Sequence, residues 1–247
     1  MHPAGAPLHR PRHRHDGRRP PVPTRIGILG GIGPAATGLY YELLVGAGRG
    51  PGLEVVIYSL DFERFTWLED HDRAGYVREI RRGLEILEAS GAGVVAMAAN
   101  SPHAVLDELD GAGPELVDIV GSVGRAAQAA GVRRALLVGI PATMTGRFYR
   151  AGLARHGVEV RVPHPRHHER IRSIVFDELT HGVRSPASRD WLVELTTGHT
   201  VDALVLACTE LSLLIGPEDA PIRVLDSTRL HVADILDAAY ATNGGER

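Results

Sequence analysis

The sequence predicts an α/β fold of two similar, pseudo-symmetric lobes, each with a mostly parallel sheet flanked by helices, with a cleft between them. Short apolar runs closed by glycine or polar residues alternate with segments of helical apolar spacing, which is typical of parallel βαβ units. The order of these segments also repeats. The run that begins at Arg25 matches the run that begins at Arg134, and Val95 matches Leu204 at the same offset of 109 residues.

In the first half of the chain, apolar runs predict strands and amphipathic spacing predicts the helices between them. A glycine-rich turn follows the first strand, and Gly91 ends the second helix. The predicted strands cover residues 26–29, 55–60 and 94–98, and the predicted helices cover 35–45, 76–90 and most of 104–130, with an apolar break at 117–120.

The second half repeats this order. Its predicted strands cover residues 135–139, 158–162 and 203–207, and its predicted helices cover 148–155, 171–180 and 191–199. We therefore predict an N-terminal α/β lobe over 25–125, whose last helix is able to cross over, and a C-terminal α/β lobe over 126–232. Residues 233–247 form a predicted C-terminal helix and tail.

Residues 1–24 differ from the rest of the chain in composition. They are rich in arginine, proline and histidine and have few side chains to bury, so we predict a disordered tail. The histidines are compatible with metal binding and the arginines with an anionic partner. The composition nevertheless favours a solvated extension without either function.

The overall composition excludes several classes of partner. The chain has 247 residues, of which 44% are hydrophobic and 23% charged, and a net charge of −3, which argues against nucleic acid. No apolar run approaches the roughly 20 residues that span a membrane, and no apolar segment follows the basic start as in a secretory signal. We therefore expect a cytoplasmic protein with no membrane contact.

The sequence contains no lysine and one cysteine, Cys208. Without lysine the chain cannot form the Schiff base of a PLP enzyme or supply the lysine of a phosphate-binding NTPase loop. One cysteine cannot form an internal disulfide. Cys208 is therefore an inert buried thiol, a chance surface thiol or a reactive group.

Polar side chains follow the predicted strands, where a parallel sheet binds its ligands. Ala99 and Cys208 occupy equivalent strand ends at the offset of 109 residues. A free cysteine is often only a small buried hydrophobe, but the polar neighbours of Cys208 suit a reactive thiol. Thr209 is placed to hydrogen-bond a substrate carboxylate, and Glu210 fits such a site or a helix cap equally well.

Asn100 and Ser101 lie in the matching loop of the first lobe and precede Pro102. They fit a helix cap with proline in the first turn, and the free amides of a helix start also bind carboxylates. Both interpretations require the same geometry.

Four segments together resemble the aspartate/glutamate racemase superfamily. Residues 26–37 (IGILGGIGPAAT) look like its opening motif and 97–103 (MAANSPH) like its first catalytic motif. Residues 207–211 (ACTEL) look like its second catalytic-cysteine motif and 226–231 (DSTRLH) like its closing segment. The resemblance implies a PLP-independent isomerase without a cofactor, acting on a small acidic amino acid, aspartate or glutamate. We also expect a homodimer.

The family mechanism implied by the resemblance places two cysteines on opposite faces of the α-carbon, where one thiolate removes a proton and the other thiol returns one. Here Ala99 occupies the position of the first cysteine, and a methyl group cannot transfer a proton. Three functions therefore stay open. They are a racemase-like enzyme centred on Cys208, a single-cysteine decarboxylase of malonate-type acids, and a non-catalytic protein that binds small carboxylates.

The resemblance also implies contacts to the substrate. The hydroxyls of the loop after strand 135–139 are candidates for the α-carboxylate, and the glycine-rich loop lets the backbone approach a ligand closely. His103 is a candidate hydrogen-bonding residue or substitute acid, and His168 a candidate contact to a second carboxylate. The histidines of 163–168 show no metal-site spacing, so no metal is expected. The predicted substrate-binding residues are Gly31, Asn100, Ser101, Thr143, Thr145, Thr209, His103 and His168.

Overall fold

The computed structural model describes residues 23–47, 52–109 and 113–241. The tail predicted over 1–24 lies outside the described residues except for Pro23 and Thr24. The backbone N–H of Thr24 donates a hydrogen bond to the Ala239 carbonyl oxygen at 2.9 Å. The end of the predicted C-terminal tail, residues 242–247, also lies outside the described part of the chain.

The first sheet consists of four parallel strands, namely β1 (Ile26–Gly30), β2 (Val55–Ser59), β3 (Val94–Met97) and β4 (Glu115–Leu116). Their order is β2-β1-β3-β4, and in the centre Ile28 lies between Ile57 and Ala96. Every residue of β1 and β3 is buried, as expected of parallel strands covered on both faces by helices.

The second sheet repeats this arrangement with β5 (Arg134–Val138), β6 (Glu159–Arg161), β7 (Ala203–Leu206) and β8 (Arg223–Asp226). Its order is β6-β5-β7-β8, and all of its pairs are parallel. The same strand order in both halves confirms the predicted α/β fold with two similar lobes.

Helices pack on both sheets. None of those in the described residues is long and apolar enough to cross a membrane. The helices are α1 (Pro34–Gly46), α2 (Phe62–His71), α3 (Arg73–Ala89), α4 (Leu106–Leu109), α5 (Ile119–Ala129), α6 (Pro141–Thr145), α7 (Arg147–Ala154), α8 (His168–Ser173), α9 (Pro186–Thr197) and α10 (Ser227–Ala241).

Two predicted helices are interrupted in the structure. The predicted helix 104–130 is instead a 3-10 turn at Ser101–Val105, the short α4, strand β4 and then α5. The break arises because the Asp118 carboxylate accepts the N–H groups of Val120 and Gly121, which starts a new helix. The predicted helix 171–180 is also irregular, since α8 continues into a π-helical turn at Ile174–Glu178.

Helix α2 is absent from the sequence prediction. Asp61 starts it by accepting the N–H of Arg64 at 2.7 Å, and Asp72 ends it and caps α3 by accepting the N–H of Gly75 at 2.8 Å. Only Phe65 and Leu68 of its ten residues are buried, so its apolar periodicity is too weak to recognise.

The chain crosses between the two sheets twice. Helix α5 packs in the core of the second sheet, where Val123 belongs to one cluster with Leu137. Helix α10 returns to the first sheet, where Ile235 belongs to one cluster with Ile28. The two helices also contact each other, so neither sheet is packed independently of the other.

His231 of α10 joins three segments in the interior. Its Nε2 lies 2.9 Å from the carbonyl oxygen of Val117, which can only accept, so the proton lies on Nε2. Its Nδ1 then accepts a hydrogen bond from the Tyr40 hydroxyl of α1 at 2.7 Å. Burial, with the neighbouring His103, lowers the pKa of His231 to about 3.

We expect the free energy of unfolding to fall as the pH falls below about 6.5. The unfolded chain protonates His231 below its ordinary pKa, whereas the folded protein keeps it neutral down to about pH 3, so acid favours the unfolded state. The effect amounts to about 1.4 kcal/mol per pH unit within this window. Urea unfolding at about pH 7.5 and about pH 5 measures it.

The variant His231→Gln is the matched control because a glutamine side chain does not titrate. It should unfold with a shallower dependence on pH than the wild type, even if it is less stable at every pH. The same slope in both proteins would contradict the role assigned to His231.

Candidate active site

A cavity lies at the carboxyl ends of the central strands of both sheets. Both Ala99 and Cys208 line it. Ala99 comes two residues after β3 ends and Cys208 two residues after β7 ends. The two positions that are equivalent in the internal repeat therefore share one cavity, one from each lobe.

Cys208 forms a hydrogen-bonded unit with Glu210. The thiol, with 6% of the residue exposed, donates to Glu210 Oε2 at 3.1 Å, and the Thr209 hydroxyl donates to the same oxygen at 2.9 Å. Burial raises the pKa of Cys208 well above its usual value, and the charge of Glu210 and its hydrogen bond with the thiol raise it further. The resting side chain is therefore a thiol.

The glycine-rich loop after β1 supports this unit at Gly33. A Cβ atom on Gly33 would lie 2.2 Å from Glu210 Oε1, so any other residue at this position would displace the carboxylate. Gly31 is required by the backbone geometry of the loop instead. It has a φ of +78°, a Cβ there would lie 2.1 Å from the Leu60 carbonyl oxygen, and it is not among the residues that line the cavity.

Asn100 lines the cavity, and its side chain forms hydrogen bonds with two residues of the second lobe. Its Oδ1 accepts a hydrogen bond from the Tyr149 hydroxyl at 2.6 Å, and its Nδ2 donates to Ser227 Oγ at 3.3 Å. The side chain makes no helix-cap hydrogen bond, so the cap expected from the sequence is not formed by this amide. Among the residues that the structure describes, its second N–H has no partner and is available to a ligand.

The two predicted threonines of α6 differ in position. Thr143 is fully buried and lines the cavity, and its hydroxyl has no hydrogen-bond partner within the described residues. A buried hydroxyl without a partner is costly, so it is a good candidate for a ligand contact. Thr145 is exposed, donates to the Pro141 carbonyl oxygen at 2.8 Å and does not line the cavity.

The two predicted histidines are not brought to the cavity. His103 packs edge-on against His231, with 5.7 Å between the ring centroids, and burial lowers its pKa. His168 Nε2 donates to the Pro163 carbonyl oxygen at 2.9 Å and lies outside the lining. Its neighbours Arg166 and His167 line a separate surface groove.

Glu69 of α2 lines the cavity and was missed by the sequence analysis. Its Oε1 accepts a hydrogen bond from the Tyr76 hydroxyl at 3.0 Å. Burial raises its pKa, and the neighbouring charge of Asp70 raises it further. No sequence signal identifies Glu69 once α2 itself is not recognised.

The charge and polarity of the lining are uneven. Two glutamates line the cavity, and no arginine, lysine or histidine does so among the residues that the structure describes. Phenylalanine and branched aliphatic side chains form much of the remaining wall: Ile32, Phe62, Phe65, Ile140, Val175 and Phe176. Across residues 23–47, 52–109 and 113–241, no group of three or more potential metal-binding side chains occurs.

Comparisons with known proteins agree with this fold. The chain is similar to an aspartate racemase homologue from Pyrococcus horikoshii, with 31% identity over 87% of this chain and 99% of that chain and a TM-score of 0.76. A candidate Asp/Glu racemase from Yersinia pestis is also similar, with 28% identity over 87% of this chain and 99% of that chain and a TM-score of 0.78. Picrophilus torridus aspartate racemase, at 24% identity over 87% and 94% of the chains with a TM-score of 0.73, shares the fold.

A sequence model of the Asp/Glu/Hydantoin racemase family matches residues 29–235. The matched range includes both strands that carry Ala99 and Cys208, and it covers both sheets. The protein therefore belongs to the Asp/Glu/Hydantoin racemase family.

Proposed function

We propose that this protein is a cofactor-independent amino-acid racemase or epimerase in which Cys208 transfers a proton at the α-carbon of its substrate. The proposal is carried by the Cys208 thiol, which lies in the cavity between the sheets and is hydrogen-bonded to the Glu210 carboxylate. Family membership and the aspartate racemase names of similar structures support it.

The thiol and the carboxylate supply a route for the proton. Because its pKa is raised, Cys208 is protonated at neutral pH and must lose its proton before it can act as a base. Glu210 Oε2, at 3.1 Å, accepts that proton, and the resulting thiolate then removes the α-proton. In the reverse direction, the thiol protonates the carbanionic intermediate.

The same cavity offers groups for the substrate's α-carboxylate. The unpartnered Thr143 hydroxyl and the second N–H of Asn100 are neutral donors on a buried wall. Hydrogen bonds to a carboxylate are stronger than those between neutral groups, particularly where water is excluded. These two residues are therefore our proposed substrate contacts.

The lining favours a neutral substrate side chain over the acidic one expected from the resemblance. An additional carboxylate would enter beside Glu69 and Glu210 without a cation in the described lining to offset its desolvation. A small neutral side chain would meet the apolar wall instead. The names of the similar structures support aspartate or glutamate, so these two remain the competing substrates.

Ala99 keeps one alternative function open. A decarboxylase needs only one thiol to protonate an enediolate on one face, and Cys208 alone would meet that need. Release of carbon dioxide from an α-substituted malonate, without exchange of the α-proton of any amino acid, would favour this lyase.

Replacing the thiol should remove racemisation. We expect Cys208→Ala to lower the rate of interconversion of enantiomers by about 100-fold to 10,000-fold or more, because proton transfer by a positioned group contributes about that much. Cys208→Ser should keep only a trace, since a hydroxyl is a far weaker acid and base than a thiol. Chiral chromatography measures both rates, and wild-type rates in the alanine variant would refute the proposal.

The two glutamates of the cavity lining should make acidic amino acids poorer substrates than neutral ones. Among small L-amino acids, we expect neutral ones such as serine or leucine to exchange their α-proton in deuterated water with a higher kcat/KM than aspartate or glutamate. Proton NMR of the α-position measures this. A preference for aspartate or glutamate would contradict this prediction.

Glu210 should control the ionisation of the thiol. Glu210→Gln removes the negative charge beside Cys208, so the pKa of the thiol should fall and its alkylation by iodoacetamide at neutral pH should be faster. The pH profile of alkylation is unambiguous because the sequence has one cysteine. The exposed Glu218→Gln is the matched control, and an equal effect of both changes would contradict the local pairing.

A further inference from the structure

The first lobe contributes a second acid to the cavity, in addition to the Glu210 carboxylate of the second lobe. Cys208 belongs to the second sheet, whereas Ala99 and the following residues belong to the first. Glu69 of α2 also comes from the first lobe and lines the same cavity as both. The lobe whose Ala99 cannot transfer a proton therefore supplies a carboxyl group to the same cavity.

From this geometry we infer that Glu69 is the second catalytic acid and base, which serves the face of the α-carbon opposite to Cys208. The inference rests on the proposed function and adds to it the residue that replaces a second thiol. The protein would then racemise with an unlike pair, one thiol and one carboxyl group.

One hydrogen bond restrains the carboxyl group of Glu69 at the cavity. Tyr76 of α3 donates to Oε1 at 3.0 Å, which limits the orientation of the carboxyl group. Ser101, two residues after Ala99, lines the same cavity. One oxygen retains further lone pairs for a substrate proton.

The surroundings of Glu69 suit a group that both takes and gives a proton. Burial makes its charged form less favourable, and the exposed Asp70 acts in the same direction. The hydroxyls of Ser101 and Tyr76 oppose this shift only in part. The carboxyl group is thus closer to equal populations of its two protonation states at neutral pH than a carboxyl group in water would be.

His103, the other candidate for the second face, lacks this access. It does not line the cavity, and its ring packs against His231 in the interior. Of the acids in the described lining, Glu210 is already paired with the Cys208 thiol. Glu69 is the remaining acidic side chain among the lining residues that the structure describes.

The proton balance of the proposed step closes without a cofactor. In one direction, the Cys208 thiolate removes the α-proton, and the Glu69 carboxylic acid delivers its proton to the other face of the carbanion. The products are the opposite enantiomer, a Cys208 thiol and a Glu69 carboxylate. In the reverse direction, the Glu69 carboxylate removes the α-proton and the thiol delivers its own.

The decisive variant is Glu69→Gln, which keeps the shape of the side chain but cannot transfer a proton. We expect racemisation to fall by about 100-fold to 10,000-fold, while one enantiomer still exchanges its α-proton in deuterated water through Cys208. Cys208→Ala should show the mirror result, with exchange restricted to the other enantiomer through Glu69. A residue that only supports the fold would not produce opposite stereochemical preferences.

Two further variants complete the test. Ala99→Cys introduced into Glu69→Gln should restore racemisation because it places a thiol on the first-lobe wall. The exposed Glu63→Gln of the same helix should racemise at the wild-type rate. Glu69→Gln should melt at or above the wild-type temperature, because the burial that raises the pKa of Glu69 makes its charged form costly.

The inference is overturned if Glu69→Gln racemises at the wild-type rate, or if it loses exchange from both enantiomers equally while remaining folded. The proposed function fails separately. In that case, the wild type exchanges no α-proton, or Cys208→Ala racemises as fast as the wild type. The two failures are therefore distinguishable in one set of measurements.

Discussion

The exchange of helices between the two sheets sets the geometry on which the cavity depends. Helix α5 leaves the first half of the chain to pack on the second sheet, and α10 returns from the second half to pack on the first. Because protein interiors are densely packed, neither sheet can shift without disturbing the other's core. The ends of β3 and β7, which carry Ala99 and Cys208, are thereby held on the same cavity.

Between the two sheets, the cavity accommodates the buried carboxylate of Glu210 and the partly buried carboxylate of Glu69, whose hydrogen bonds offset part of their desolvation. Glu210 accepts hydrogen bonds from Cys208 and Thr209, and Glu69 accepts one from Tyr76. Such groups are retained against their cost when they perform chemistry. The raised pKa values of Cys208 and Glu69 have one common cause, which is burial in a largely apolar pocket.

The strand ends were predictable from the sequence because parallel sheets place their ligands there, and the internal repeat made Ala99 and Cys208 equivalent positions. Glu69 was not predictable because α2 was not recognised. Aspartates flank this helix, but only two of its residues are buried, so it has no clear apolar periodicity. Two histidines were predicted at the site but lie outside the cavity. His103 and His168 have suitable chemistry, but the direction of each side chain depends on tertiary contacts such as His231 and the Pro163 carbonyl oxygen.

The alanine at position 99 also changes how the protein responds to oxidation. A cleft with a thiol on each wall has two sulfur atoms that can approach one another, and a disulfide between them would tie the lobes together. Here the described cavity holds a single sulfur atom, so this form of self-inactivation cannot occur within one chain. Burial of a protonated Cys208 also slows attack by peroxide, since the thiolate is the form that is oxidised. A thiol–carboxyl pair would therefore avoid the internal disulfide that two facing thiols can form.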